Sequence, residues 1–205
     1  YIFKLLIIKL NLRMKKSLIT LVFLTVFGFY GQAQNTSLDG FLKSNWGQSL
    51  AEVTANNSAK GYEYFEGLGD DMLAVTGANF AGNSDCMIIW MFTSDKLFQG
   101  IVSITPDLKA KAMSEYDSMK TKISGKYGEG KTYESYDYPY DEGDGHWETA
   151  FKLGKGHLDT FWNFEDGNSL SMKLEEDLAI KIVYQSTELV AEKIKQRDAA
   201  NNDDL

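Results

Sequence analysis

One stretch of the chain, residues 133–147, mixes aromatic rings with carboxylates and holds the side chains best suited to recognise another molecule. The candidate binding residues are its five aromatic side chains, Tyr133, Tyr136, Tyr138, Tyr140 and Trp147. Exposed Tyr and Trp rings stack on sugars or anchor protein interfaces, because they offer a large contact area at little entropic cost. The other interpretation is a strand pair whose tyrosines pack at a sheet edge while the acids solvate a long turn.

The same stretch and the two histidines contain the possible metal ligands. The acids are Asp137, Asp141, Glu142 and Asp144. Their order does not fit the Asp-x-Asp-x-Asp-Gly loop of a calcium site. His146 and His157 are predicted on adjacent strands, but zinc would also need Asp159 or Glu148, and neither spacing is diagnostic. We therefore expect no metal and no cofactor.

Motifs that would identify an enzyme are missing from the sequence. There is no Gly-x-Ser-x-Gly elbow, no glycine-rich phosphate loop and no paired-cysteine motif. The single cysteine, Cys86, lies in an apolar strand, where we expect it to be buried rather than catalytic. A pair of glycosidase carboxylates leaves no spacing signature, so catalysis by such a pair stays open.

The start of the chain is typical of an exported protein. Residues 1–13 precede Met14 and are interpreted as upstream sequence translated by mistake. Residues 14–33 then show a Lys15-Lys16 head, an apolar run over 18–30 and small residues before Gln34, which predicts a secretory signal peptide. The run is well short of the ~20 residues that span a membrane, so we expect no stable anchor after cleavage. The protein should be exported to the periplasm or outside the cell.

The remaining residues, 34–205, are predicted to form one acidic domain with a disordered tail over 200–205. Removing residues 1–33 takes away five basic and no acidic residues, which changes the formal net charge from -8 to about -13. An acidic surface repels phosphate backbones and anionic lipids, so nucleic-acid and membrane-surface binding are disfavoured. Oligomeric state is not predicted.

The hairpin over residues 84–105 is the most apolar part of the domain. In its first strand Cys86, Ile88, Trp90 and Phe92 share one side, while Met87, Ile89 and Met91 share the other. Because neither side is suited to water, the pattern predicts a central strand covered on both faces.

The flanking segments predict helices and further strands. Ser49 and Glu52 have the spacing of a capping box and predict a helix to about Asn57. Thr105-Pro106-Asp107 predicts the start of a long helix that ends near Tyr127, and Thr187 starts a last helix to about Ala199. Strands are predicted at 61–65, 72–80, 131–138, 146–153, 157–164, 169–174 and 178–185.

Together these elements predict an α+β fold. We expect an extended antiparallel sheet of about eight or nine strands, with one long helix packed on one face and short helices at both ends. The segments Trp90-Met91-Phe92 and Trp162-Asn163-Phe164 raise the possibility of an internal duplication.

A local motif supports this fold class. Residues 46–53 have the pattern W-G-x-S-x-x-E-V, which resembles the opening of small secreted bacterial domains of unknown function from the Bacteroidetes group. The chain is also similar to the repeats of the β-lactamase-inhibitor-like and small outer-membrane-assembly lipoprotein families, although it lacks the lipid-attachment Cys of the latter. The resemblance implies a non-enzymatic protein-binding module that uses its sheet face, and it transfers no functional residue.

Two functions follow from the sequence. The first is an exported, non-enzymatic binding protein with an unknown envelope protein or a glycan as its partner. The alternative is a small secreted hydrolase that acts on a glycan or peptide through a carboxylate cleft. An open aromatic face would favour the first function, and carboxylates or histidines converging in a pocket would favour the second.

Overall fold

The computed structural model describes residues 37–65, 69 and 71–203, and the side chains of 200, 202 and 203 are outside that description. The predicted upstream segment 1–13 and signal peptide 14–33 lie outside the described residues. Within the described part, no helix combines the length and the hydropathy required to cross a bilayer.

The main sheet has seven antiparallel strands. They are β3 (Met72–Phe80), β4 (Asn83–Thr93), β5 (Lys96–Ile104), β6 (Lys131–Tyr136), β7 (Gly156–Asn163), β8 (Ser169–Leu174) and β9 (Ile180–Gln185). Their order across the sheet is β3-β4-β5-β9-β8-β7-β6. A separate two-stranded sheet joins β1 (Gly40–Phe41) and β2 (Ser44–Asn45). The α+β class is confirmed, and the main sheet has slightly fewer strands than the eight or nine predicted.

Four α-helices accompany the sheets in the described residues. They are α1 (Leu50–Asn57), α2 (Ala112–Tyr127), α3 (Trp147–Lys152) and α4 (Thr187–Asp203). The capping box of α1 is confirmed, because the Glu52 N–H donates to Ser49 Oγ and the Ser49 N–H donates to the Glu52 carboxylate. Helix α4 continues past the predicted end near Ala199 into the segment 200–205.

The predicted strand at 146–153 is wrong, because this segment forms helix α3. Six residues are too few to distinguish the period of a helix from that of a strand. In the structure Trp147 and Phe151 lie one turn apart with their ring centroids 6.3 Å apart, and Phe151 is buried. Burial of Phe151 against Gly156 of β7 favours the helix. The two histidines therefore do not lie on adjacent strands.

Two other predicted elements also differ from the structure. Residues 61–65 contain a single bridge, between Tyr64 and Val75, rather than a strand. The long helix begins at Ala112 and not at Pro106, after a short 3₁₀ turn at Lys109–Lys111. Leu108 has extended backbone angles and is exposed. An extended segment therefore separates the end of β5 from the start of the helix.

One face of the sheet forms the core with α2. The buried residues of α2 are Ala112, Tyr116, Met119, Ile123 and Tyr127. The Tyr116 hydroxyl lies 2.8 Å from Thr160 Oγ1 of β7 and donates to the Met172 carbonyl oxygen of β8 at 3.0 Å. This face, which we call the inner face, also holds Trp90 and Ile182 with no exposed area.

The strand order is symmetric about the central pair β5 and β9, apart from the extra edge strand β6. Outward from that pair, β4 and β3 on one side correspond to β8 and β7 on the other. By this correspondence the middle of β4, with Trp90, matches the middle of β8, with Met172. Trp162 lies on β7, so the two Trp-x-Phe segments are not at equivalent positions. Their similarity is therefore not the trace of a structural repeat.

Candidate binding surface

The five predicted aromatic residues lie in different surroundings. Tyr136 of β6 and Trp147 of α3 both pack edge to face on the buried ring of Phe151, with centroids 6.1 and 6.3 Å away. Tyr138 is 90% exposed and Tyr140 is half-buried in the loop after β6. Tyr133 projects from β6 and is 51% exposed. The structure thus brings Tyr136 and Trp147 together at the edge of the core and leaves Tyr133 and Tyr138 open to solvent.

The acids of this stretch organise the loop itself. Asp144 accepts the N–H groups of Asp141 and His146 at 3.0 and 2.6 Å. These bonds stabilise the ionised form and hold the pKa of the Asp144 carboxyl below its usual value. Tyr136 donates its hydroxyl to Glu134 at 2.9 Å, and burial together with this bond raises the pKa of Tyr136. Each of these groups has a local structural role.

The possible metal ligands are dispersed. His157 Nε2 lies 3.7 Å from an Asp137 carboxylate oxygen, whereas His146 immediately precedes α3. Within the described residues, no group of three or more His, Cys, Asp or Glu side chains is placed to hold a metal ion. Cys86 is fully buried, as predicted, and burial raises the pKa of its thiol, which opposes thiolate chemistry.

The face of the sheet opposite α2, which we call the open face, carries a line of mostly apolar side chains. The strand registers place these residues side by side from β7 to β3: Phe161, Ser171, Val183, Ile101, Ile89 and Ala74. Phe161 is 42% exposed, and Val183, Ile101 and Ile89 are each partly exposed. By contrast, Ile88, Trp90 and Val102 on the inner face have no exposed area. We call this line the apolar row.

A charged row lies beside the apolar row. Its members, from β6 to β4, are Tyr133, Asp159, Lys173, Lys181, Ser103 and Met87. Glu175, directly after β8, lies 3.4 Å from the Lys173 ammonium and 3.6 Å from the Lys181 ammonium, so Asp159 and Glu175 balance the charge of the two lysines. Burial raises the pKa of Asp159, and the nearby Lys173 and His157 partly oppose that shift. We call this line the charged row.

The opposite side of the apolar row is uncharged. It contains Asn163, Ser169, Gln185, Gln99, Met91 and Met72. The Gln99 side-chain amide donates to the Gln185 side-chain oxygen at 3.0 Å. The open face is therefore an apolar strip with the charged row on one side and this uncharged row, which we call the amide row, on the other.

Strand β4 lies between β3 and β5, as predicted for a central strand, but its second face is not fully buried. Met87 is 39% exposed, and Ile89 and Met91 are partly exposed. The sequence showed that apolar residues occupy both sides of this strand. The pattern alone cannot distinguish a second face that is covered from an apolar face that is exposed to solvent. The apolar row is the feature that the sequence interpretation missed.

A pocket of about 390 Å³ lies on the inner side of the sheet. It is enclosed by residues 37–45, the β3–β4 turn, helix α2 and Tyr184 of β9. Among the described residues that line it, Asp39 is the sole carboxylate and neither histidine takes part. The convergence of carboxylates that a hydrolase cleft requires is not found in this lining.

Comparisons of the chain with protein-family models, with curated proteins and with solved structures find no match.

Proposed function

We propose that this chain is an exported, non-enzymatic binding protein whose open face docks against another protein. The observation that carries the proposal is the apolar row, whose partly exposed side chains cross five strands of the main sheet, from β7 to β4, and end at the buried Ala74 of β3. Contiguous apolar surface bordered by polar residues is characteristic of interaction sites. Export rests on the pattern of residues 14–33.

The rows beside the apolar strip define the chemistry of the partner. The charged row presents Lys173 and Lys181 together with Asp159, and Glu175 pairs with both lysines. A partner with an apolar strip bordered on one side by charged residues of both signs would match this arrangement. The amide row offers donors and acceptors without a charge preference.

A protein partner fits the open face better than a glycan does. Sugars bind to flat, accessible aromatic platforms, but Tyr133 and Phe161 meet at an interplanar angle of 68° with centroids 6.0 Å apart. The Lys131 ammonium also lies 4.8 Å from the centroid of the Tyr133 ring. These contacts occupy the aromatic surface that a sugar would need.

Site-specific photo-crosslinking tests the proposal. A crosslinking amino acid replaces Met87 on the open face, and in a matched control it replaces Leu108, which is 56% exposed outside the sheet. Each protein is illuminated with envelope proteins from the source cells. We expect a discrete adduct at position 87 that excess unlabelled wild-type protein suppresses, and no suppressible adduct at position 108.

Competition with variants then tests whether the partner contacts the apolar row and the charged row beside it. We expect Ile101→Asp and Lys173→Glu to be at least about tenfold weaker competitors than wild type, since an apolar anchor and its flanking charge are both lost to the partner. Circular dichroism verifies that each competitor is folded. The proposal would be overturned if both folded variants competed as well as wild type does. It would also be overturned if excess wild-type protein suppressed no adduct at position 87.

A further inference from the structure

The pocket behind the sheet is a second candidate site, independent of the open face. Its apolar lining comes from four parts of the chain: Leu38 and Phe41, Phe80, Met119 and Ile123, and Tyr184. Five of these six side chains are buried, and Phe80 is partly exposed. The volume of about 390 Å³ is in the range that holds a small organic ligand.

The pocket also contains a polar group, the hydroxyl of Tyr184. Tyr184 is 6% exposed and lines the pocket. Burial raises the pKa of Tyr184, so the hydroxyl keeps its proton and can donate. A ligand oxygen in the pocket could accept a hydrogen bond from this hydroxyl.

The opening of the pocket carries a small excess of positive charge. Lys122, Lys126 and Asp39 are exposed and line the pocket. The Lys122 ammonium donates to the Ala81 carbonyl oxygen at 2.8 Å, and the Lys126 ammonium lies 4.6 Å from the centroid of the Tyr127 ring. Two ammonium groups against one carboxylate favour an anion at this position.

We propose that this pocket binds an amphiphilic monocarboxylate, with its aliphatic chain among Phe41, Met119 and Ile123 and its carboxylate at Lys122 and Lys126. Burial of an aliphatic chain supplies most of the affinity, and the ammonium groups select the anionic head. A ligand oxygen placed deeper along the chain, as in a hydroxy acid, would meet the Tyr184 hydroxyl.

Calorimetric titration of the purified protein with decanoate tests this site. We expect saturable binding, with little or no binding of decyltrimethylammonium, whose chain is the same length but whose head is a cation. We expect Lys126→Glu to weaken decanoate binding by about fivefold to fiftyfold, since a favourable charge becomes a repulsive one.

Lys120→Glu is the matched control. Lys120 lies on the same helix and its ammonium is 3.3 Å from Asp117, but it does not line the pocket. This substitution changes the net charge equally and should alter decanoate affinity less than about twofold. If Lys120→Glu weakened decanoate binding as much as Lys126→Glu does, the change in overall charge would explain both results. That outcome would overturn the proposal.

A second variant tests whether the Tyr184 hydroxyl contacts a ligand oxygen inside the pocket. Tyr184→Phe removes the hydroxyl with little change in shape, so the fold should persist. We expect it to leave decanoate affinity within about twofold and to weaken binding of 10-hydroxydecanoate by about threefold to tenfold. Absence of saturable decanoate binding to folded wild-type protein would exclude the site. That result would leave crosslinking at position 87 unaffected, so the two proposals fail separately.

Discussion

At the scale of single residues, Gly100 determines how the N-terminal segment packs on the sheet. Gly100 pairs with Trp90 on β4 and with Tyr184 on β9. The ring of Phe41 occupies the space that a side chain at 100 would take, with centroids 5.8 Å from Trp90 and 5.1 Å from Tyr184. A Cβ at Gly100 would lie 2.0 Å from Phe41 Cδ1. The missing side chain therefore creates the slot that holds Phe41.

Replacing Gly100 should show this requirement as a loss of stability. We expect Gly100→Ala to lower the free energy of unfolding by about 1–3 kcal/mol, because the Phe41 ring must move from a packed position. Gly125→Ala in α2 is the matched control, since a Cβ there meets nothing within 4 Å. It should raise stability by about 0.5–1 kcal/mol through helix propensity. Urea titration of both variants measures this difference, and an unchanged Gly100→Ala would contradict the packing argument.

At the scale of elements, α2 is fixed to the sheet by a buried polar contact as well as by apolar packing. The Tyr116 hydroxyl bonds to Thr160 and to the Met172 carbonyl oxygen, and Thr160 Oγ1 also lies 3.0 Å from Thr132 Oγ1. Such a bond is directional, so it sets the position of the helix along β7 and β8 more narrowly than apolar contacts do.

Removing the Tyr116 hydroxyl should therefore weaken this attachment. We expect Tyr116→Phe to cost about 1–3 kcal/mol of unfolding free energy, because the Met172 carbonyl oxygen loses this side-chain donor in a buried site. Tyr127→Phe on the same helix should cost less than about 0.5 kcal/mol, since no hydrogen bond among the described residues involves that hydroxyl. A double-mutant cycle with Thr160→Val measures the coupling, and a coupling near zero would show that the bond does not hold the helix.

Local chemistry explains which elements the sequence could predict. The α1 cap was predictable because Ser49 and Glu52 act on each other within one turn. Helix α3 was not, because the contact of Phe151 with Gly156 that favours it is tertiary. Which face of β4 the helix α2 would cover was equally beyond local pattern, so Met87, Ile89 and Met91 could be predicted as a second apolar side of β4 but not as an exposed surface.

At the scale of the whole molecule, β5 and β9 join the two halves into one sheet. Ile101 and Val183 face each other at this seam, as do Val102 and Ile182. The inner face on both sides of the seam belongs to one continuous hydrophobic core. Neither half has a core of its own, so the fold should be cooperative.

Cooperativity can be measured by native-state hydrogen exchange. We expect the most protected amides of β4 and of β8 to exchange with the same free energy of opening, equal within about 1 kcal/mol to the global value from urea titration. The reason is that either half can open fully only when the shared core is lost. A lower value confined to β6, β7 and β8 would show that the second half unfolds by itself.

The pairing of β5 with β9 also has a consequence for how the chain acquires its structure. Along the chain, α2, β6, α3, β7 and β8 separate β5 from its neighbour β9. Until β9 arrives, β5 is a free edge with unpaired backbone groups and apolar side chains on both faces, a template for strands of other chains. Its contact with β9 is distant in sequence, which slows folding. Chains cut short between α2 and β9 should therefore aggregate rather than fold.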